Sequence, residues 1–384
     1  MQYIAVDRVW CWIKIETMMR RVKHILSMLA ILMIASSCDK VNLHVNYVTG
    51  PTLTLNVSCE LNDSAPELFV EVECDAENGT SYIVRALNAK PQNTRFNEDV
   101  MYRYIIDIYR ANDADSKFVE RRIFYADPDD KVIPPAQFNV EPAAYKVLVW
   151  CDFVRASAPE ESWYFNTDDI RQIVYTDVEV KDNNDRDCFT SVADVDLRSY
   201  SSVLTGVFDV EQHLVLERPC GRYRCVTTDV GEYAPGSDYE EVTCVLTYQM
   251  YVARGYDVEE QRPNDFDEVR TYLSTVSTND VDHDGNLELC YDYVFVNGKQ
   301  TNVKIDMDLY RGKVVMRDSQ LVREDGTPVN DLDLISSWSD IAIPLKRNME
   351  TLVVGRLLTS SFDKGGIGIA PDFEDEIVIN WPSD

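Results

Sequence analysis

In the stretch Thr301–Tyr310, Val303, Ile305, Met307 and Leu309 alternate strictly with Asn302, Lys304, Asp306 and Asp308. A period of two sends successive side chains to opposite faces, which is a half-buried strand and cannot be a helix. The same beat runs through "TLTLNV" (52–57) and "LFVEVEC" (68–74), and β-branched and aromatic residues fill "MYRYIIDIYRA" (101–111) and "FVERRIFYA" (118–126). In "AAYKVLVWCDFV" (143–154), Tyr145, Val147, Val149, Cys151 and Phe153 share one face while Leu148 and Trp150 occupy the other. Apolar residues on both faces predict a central strand. Asn297-Gly298, between two such runs, predicts a type I′ hairpin spanning residues 291–310. The best helical candidate of the second half is "VRTYLSTV" (269–276). The fold class is therefore all-β, as sandwiches with Greek-key connections.

A chain of 384 residues calls for two domains. Between residues 181 and 206 it turns polar, and a strand-rich block opens at "HLVLERPCGRYRCVTTDV" (213–230), placing the seam near residue 210. The expected domains are 51–210 and 211–384.

The amino end is built differently. Arg20, Arg21 and Lys23 precede an apolar run from Ile25 to Ile34, and Ala35, Ser36 and Ser37 lead into Cys38. The run is too short to span a bilayer, which takes about 20 apolar residues, and it has the shape of a signal peptide. A cysteine after small residues is a lipobox, where cleavage follows attachment of diacylglycerol to the thiol. Residues 1–37 are thus read as a signal peptide with its true start at Met18 or Met19, and residues 38–50 as a linker lipidated at Cys38. The acyl chains would anchor the mature protein to the outer membrane, at the cell surface.

With 66 acidic against 37 basic residues, the formal charge is −29, which repels phosphate backbones and argues against nucleic acid as a partner. The four histidines (His24, His44, His213, His283) have no metal-ligand spacing, no G-x-S-x-G elbow occurs, and "GGIGI" lacks the phosphate-binding glycine spacing. No cofactor is expected. Asp280, Asp282 and Asp284 with Gly285 match the opening half of a calcium loop, but Tyr291 stands where its bidentate acid belongs. A solvated acidic turn explains these residues as well. Trp163 and Tyr164, in "ESWYFN" (161–166), form the best exposed aromatic cluster for stacking on a sugar, with ordinary packing as the plainer account. Of the eight cysteines beyond Cys38, Cys220 and Cys225 would face opposite sides of one strand, and Cys151 reads as a buried small hydrophobe.

"RPCGRYRCVTTD" (218–229), "YKVLVWCDFV" (145–154) and "IPLKRNMETLVVGRLLT" (343–359), followed by "GGIGIAPDFEDEIVI" (365–379), resemble the fimbrillin-like outer-surface lipoproteins, in the pilus-anchor branch. The resemblance implies two tandem transthyretin-like β-sandwich domains and a structural or adhesive role in a cell-surface filament, without a reaction. It also implies fimbrial subunits as partners, joined by addition of a strand to an open sheet edge. In related shaft pilins an arginine-specific protease removes the first strand. Here no arginine lies between Cys38 and Arg85, which favours an anchor or accessory role. The alternatives are a glycan-binding surface lipoprotein and, behind it, a lipid-anchored hydrolase using a carboxylate pair. Within the third block, Gly355 is expected at a bulge or a close-packing point.

Overall fold

The strand alternation seen at Val303–Leu309 survives in three dimensions: those four side chains are buried and their neighbours are not. The computed structural model describes residues 50–75, 79–83, 99–111, 117–129, 132–176, 186–203, 205–233, 240–249, 252–267 and 270–361. Cys38, His44 and "GGIGIAPDFEDEIVI" lie outside them. The chain divides into two units. The smaller, Met1–Pro51 with Val203–Gly206, falls mostly outside the described residues; the larger, Thr52–Ser202 with Val207–Asp384, carries every described strand. The fold is all-β, with sheets packed as sandwiches, as expected.

Two hydrophobic cores organise the larger unit. The first lies between a three-stranded sheet, ordered β11 (Val207–Leu216), β1 (Thr52–Leu61), β6 (Ala136–Val140), and a four-stranded sheet, ordered β10 (Cys188–Asp196), β7 (Ala144–Arg155), β4 (Val100–Arg110), β5 (Lys117–Ala126). A third sheet adds to it: β15 (Arg262–Asp267), β14 (Val252–Asp257), β9 (Ile173–Tyr175), β8 (Phe165–Asn166). As expected, β7 is central, paired on both sides and buried from Val147 to Val154.

The second core lies between two further sheets. One is ordered β17 (Leu287–Phe295), β12 (Cys220–Thr227), β22 (Met349–Gly355), β2 (Glu67–Asp75), β3 (Gly79–Ile83). The other is β16 (Arg270–Ser277), β13 (Glu241–Tyr248), β18 (Gln300–Arg311), β21 (Leu334–Lys346). A ribbon of β19 (Val314–Arg317) and β20 (Gln320–Arg323), a 3-10 helix at Arg198–Ser202 and a single α-helical turn, α1 (Val230–Tyr233), complete the described elements.

Two local expectations are corrected. "VRTYLSTV" is not helical: Arg270–Ser277 is β16, held against β13 along its length. The Asn297-Gly298 hairpin does not form either. β17 pairs with β12 and β18 with β13 and β21, so the connection arches from one sheet to the other across the second core. Gly298 takes the left-handed backbone (φ +69°) and Asn297 does not, so the I′ requirement of two positive φ values is unmet. "IPLKRNMETLVVG" behaves the same way, with β21 and β22 in facing sheets and Asn348 (φ +56°) at the bend. Gly355 is a close-packing point, as expected: a Cβ there would sit 2.6 Å from the carbonyl oxygen of Cys74.

Sheet membership does not follow position in the chain. β2 and β3 join the sheet of β12, β17 and β22, and β8 and β9 join that of β14 and β15. Residue 210 falls inside β11, which runs parallel to β1.

Candidate functional site

Trp163 and Tyr164 are not an exposed platform. Their rings lie 4.4 Å apart, they are only 6% and 5% exposed, and both belong to the first core. The Arg155 guanidinium covers the Trp163 ring at 4.9 Å, and Thr176 ties the Trp163 carbonyl at 2.5 Å. Buried as they are, neither ring presents a face to a sugar; packing won over display.

The acidic loop forms a tight turn. Asp282 Oδ1 accepts the backbone N–H groups of Asp284 and Asn286, both at 2.9 Å, and Gly285 supplies the positive φ (+81°). Those hydrogen bonds hold the Asp282 carboxyl below the usual carboxylate range although burial works the other way. Asp282, His283 and Asp284 bring ligand atoms within 4.8 Å of one another, all exposed, while Asp280 stands outside this group. His283 Nε2 sits 3.2 Å from Asp284 Oδ2. The carboxylate of Asp282 thus already serves as a turn acceptor, as in an Asx-turn.

A third constellation was invisible in the sequence. His213 on β11 faces Ser58 and Glu60 on β1, with Ser58 Oγ 3.1 Å from Nδ1 and Glu60 Oε2 3.2 Å from Nε2. A serine, a histidine and an acid in line are the groups of a hydrolytic triad. All three stand on the exposed face of the sheet, where water screens the pairs and no oxyanion donors converge among the described residues. The parallel pairing of β1 with β11 brings them together, since Ser58 is in register with His213.

The most heavily built region is the "RPCGRYRC" segment. Buried Arg218 grips Asp187 (2.9 and 2.7 Å), donates to the carbonyls of Ser64 (2.5 Å) and Asp63 (3.2 Å) and to Asn348 Oδ1 (2.9 Å), and lies over Phe189. Arg224 bridges Glu350 and Glu288. Along the same strand, β12, Cys220 points into the first core and Cys225 into the second, as their spacing predicted. A Cβ on Gly221 would stand 2.8 Å from the Lys346 carbonyl oxygen. Beside this segment, Arg186 is paired with Asp292, which also accepts from Tyr248 at 2.7 Å. Burial alone would weaken the Arg186 cation, and Asp292 chiefly overcomes it, so its pKa is raised further. These charges weld the two cores together instead of facing solvent.

One surface feature suited to a macromolecular partner is β5. It is the last strand of its sheet among the described residues, paired only with β4. Phe118, Val119 and Ile123 are 48%, 42% and 44% exposed, unusual for large apolar side chains on an edge. The strand is held rigidly: Arg121 makes two 2.7 Å bonds to buried Asp107, directly opposite, and donates to the Thr167 carbonyl at 3.0 Å. An ordered edge with unpaired main-chain groups offers hydrogen bonds to an incoming strand. No helix of the described residues is long and apolar enough to cross a membrane.

These features define an all-β, multi-sheet protein. The chain belongs to a family of unknown function, DUF6562, whose pattern matches residues 62–382. No curated protein matches it. Among solved structures, a candidate adhesin from Bacteroides ovatus is similar at 10% identity and a TM-score of 0.40, covering 86% of this chain and 98% of that one. The fimbrial anchor protein Mfa2 from Porphyromonas gingivalis is similar at 9% identity and a TM-score of 0.34, over 68% and 78%. A candidate polysaccharide-binding protein from Bacteroides thetaiotaomicron follows at 7% identity and 0.34, over 75% and 80%.

Proposed function

We propose that this protein is a surface-exposed lipoprotein of the fimbrial anchor or accessory type, working by contact and not by turnover. The observation that carries the reading is the placement of the resembling blocks. "RPCGRYRC" and "LKRNMETLVVG" form β12 and β22, adjacent parallel strands, and Arg218 reaches Asn348 across them. The shared residues are therefore the spine of the architecture and not scattered surface coincidences. Cys38 would supply the lipid tether to the outer membrane, and the β5 edge the contact with a fimbrial subunit's strand.

Two variants test the reading in the native organism. Cys38→Ala should release both the protein and its surface filaments into the medium. Ile123→Lys places a charge on the exposed edge, which should leave the thermal midpoint unchanged and reduce filament retention. Filaments kept at wild-type levels by both variants would overturn the proposal.

A second reading, glycan binding, has one observation in its favour. An open groove of about 640 Å³ is lined by Arg171, Gln172, Asp257, Glu259, Asn264 and Asp265, donors and acceptors suited to sugar hydroxyls. Glycan-array binding lost on Asn264→Ala with Asp265→Ala would support it, and a blank array for the wild type would remove it.

A further inference from the structure

The second core contains more thiol than packing requires. Cys290 on β17 is in register with Cys225 on the neighbouring β12. From the opposite sheet, Cys244 on β13 approaches it, with the two Sγ atoms 3.7 Å apart. All three are buried and carry free thiols. A disulfide bond is about 2.04 Å long, so the sulfurs of Cys244 and Cys290 need to close by about 1.7 Å, within reach of small side-chain rotations. A cavity of about 20 Å³, room for one water, abuts the pair and is lined by Cys244, Cys290, Tyr223, Tyr272, Ser274 and Asp292. Tyr272 and Ser274 belong to β16, the edge strand of its sheet, so one peripheral strand separates the sulfurs from solvent.

We propose that Cys244 and Cys290 are a latent inter-sheet disulfide site, with Cys225 as the thiol that exchanges into it. The oxidant is of the disulfide class, a small organic disulfide or an enzyme carrying one, acting during folding or when β16 frays. The Cys290 thiolate attacks one sulfur of the oxidant, and the other leaves as a thiol, taking up the proton Cys290 has lost. The Cys244 thiolate then attacks Cys290 Sγ, the mixed disulfide breaks, and a second thiol departs with the proton of Cys244. The protein loses two electrons and the oxidant gains them. Attack by Cys225 on Cys290 would expel Cys244 and convert the inter-sheet link into one between neighbouring strands. Cys290 is the pivot in every step. Both neighbours donate hydrogen bonds to it, lowering its pKa to about 6 against the effect of burial, while burial and the bond to Cys290 raise that of Cys225.

The test uses the full chain in two arms. In one, reduced and denatured protein is refolded in a glutathione redox buffer; in the other, folded protein is exposed to dithiodipyridine. Both are quenched with N-ethylmaleimide, digested, and read by mass spectrometry for linked peptides. The expected result is a Cys244–Cys290 link as the main product in at least one arm, with the unfolding midpoint raised by several degrees and restored by reductant. Cys244→Ser should shift the link to Cys225–Cys290, and Cys290→Ser should leave Cys225 and Cys244 fully alkylated. Complete alkylation of wild-type Cys244 and Cys290 in both arms, or Cys290 linked only to a cysteine outside the trio, would overturn the proposal. The wild-type readout holds even if a variant fails to fold.

Discussion

Around Trp150 the first core is a stack of rings, whereas around Cys290 the second mixes aliphatic side chains and thiols with a few tyrosines. In the first, Trp150 meets Phe165 edge-on at 5.2 Å, Tyr175 stacks on Phe295 at 5.2 Å, and Tyr256 stacks on Phe295 at 5.1 Å. In the second, Cys74, Cys225, Cys244 and Cys290 lie among Val, Ile and Leu side chains, with Trp338 donating to the Leu357 carbonyl at 3.1 Å. Rings resist substitution because their edges and faces must match; thiols and branched chains adapt more readily. Arg186 ties the two materials together: its guanidinium lies 4.2 Å from the Tyr175 ring of the first core and pairs with Asp292, which holds Tyr248 of the second. Arg186 is thus a joint between two differently built cores, and the difference between them says where the joint will give first.

The largest effect should come from breaking that joint. Asp292→Ala strands a buried cation and should cost about 4 kcal/mol in guanidinium unfolding, with both cores loosening together. If only second-core amides lose hydrogen-exchange protection, Arg186 is not the coupling element. Next, Phe165→Ala should cost about 3 kcal/mol while Cys244→Ala costs about 1 kcal/mol, measured the same way. Equal losses would erase the contrast between a stiff and an adaptable core. Gly355→Ala should cost about 2 kcal/mol, because the new Cβ meets the backbone of Cys74 and not a mobile side chain.

The smallest effect is at the surface. Hydrogen bonds from Arg198 lower the exposed Asp196 carboxyl to about 2. A lowered carboxylate stabilises the fold above its ordinary value near 3.8, and this contribution fades as pH falls through about 2. Carbon-detected NMR titration should show Asp196 returning to ordinary values in Arg198→Ala, with the unfolding midpoint at pH 7 nearly unmoved.

Element type was largely legible in the residues. Burial follows the alternation of Val303, Ile305, Met307 and Leu309, the two apolar faces of 143–154 marked the central strand, and Gly355 marked a close approach. What failed was pairing. The left-handed glycine at 298 serves an arch between sheets as well as it serves a hairpin, and nothing local distinguishes the two. "VRTYLSTV" is too short for its period to outweigh the eight residue pairs β13 offers it. The surroundings of candidate residues were illegible for the same reason. Trp163 looked exposed beside Glu161 and Ser162, yet it is buried, with Arg155 over its ring. Ser58 and His213 lie 155 positions apart, and only strand register joins them.

By itself, then, the chain's order of residues determined that this protein is made of strands and which side of each strand is apolar. Those properties depend on neighbours one to four positions away, where steric and hydrophobic preferences act directly. Only the tertiary structure decided which strands touch, which cysteines meet, and that β5 is left with an open edge among the described residues. Those outcomes arise from contacts between residues distant along the chain, selected by the packing of whole sheets, and no local pattern encodes them.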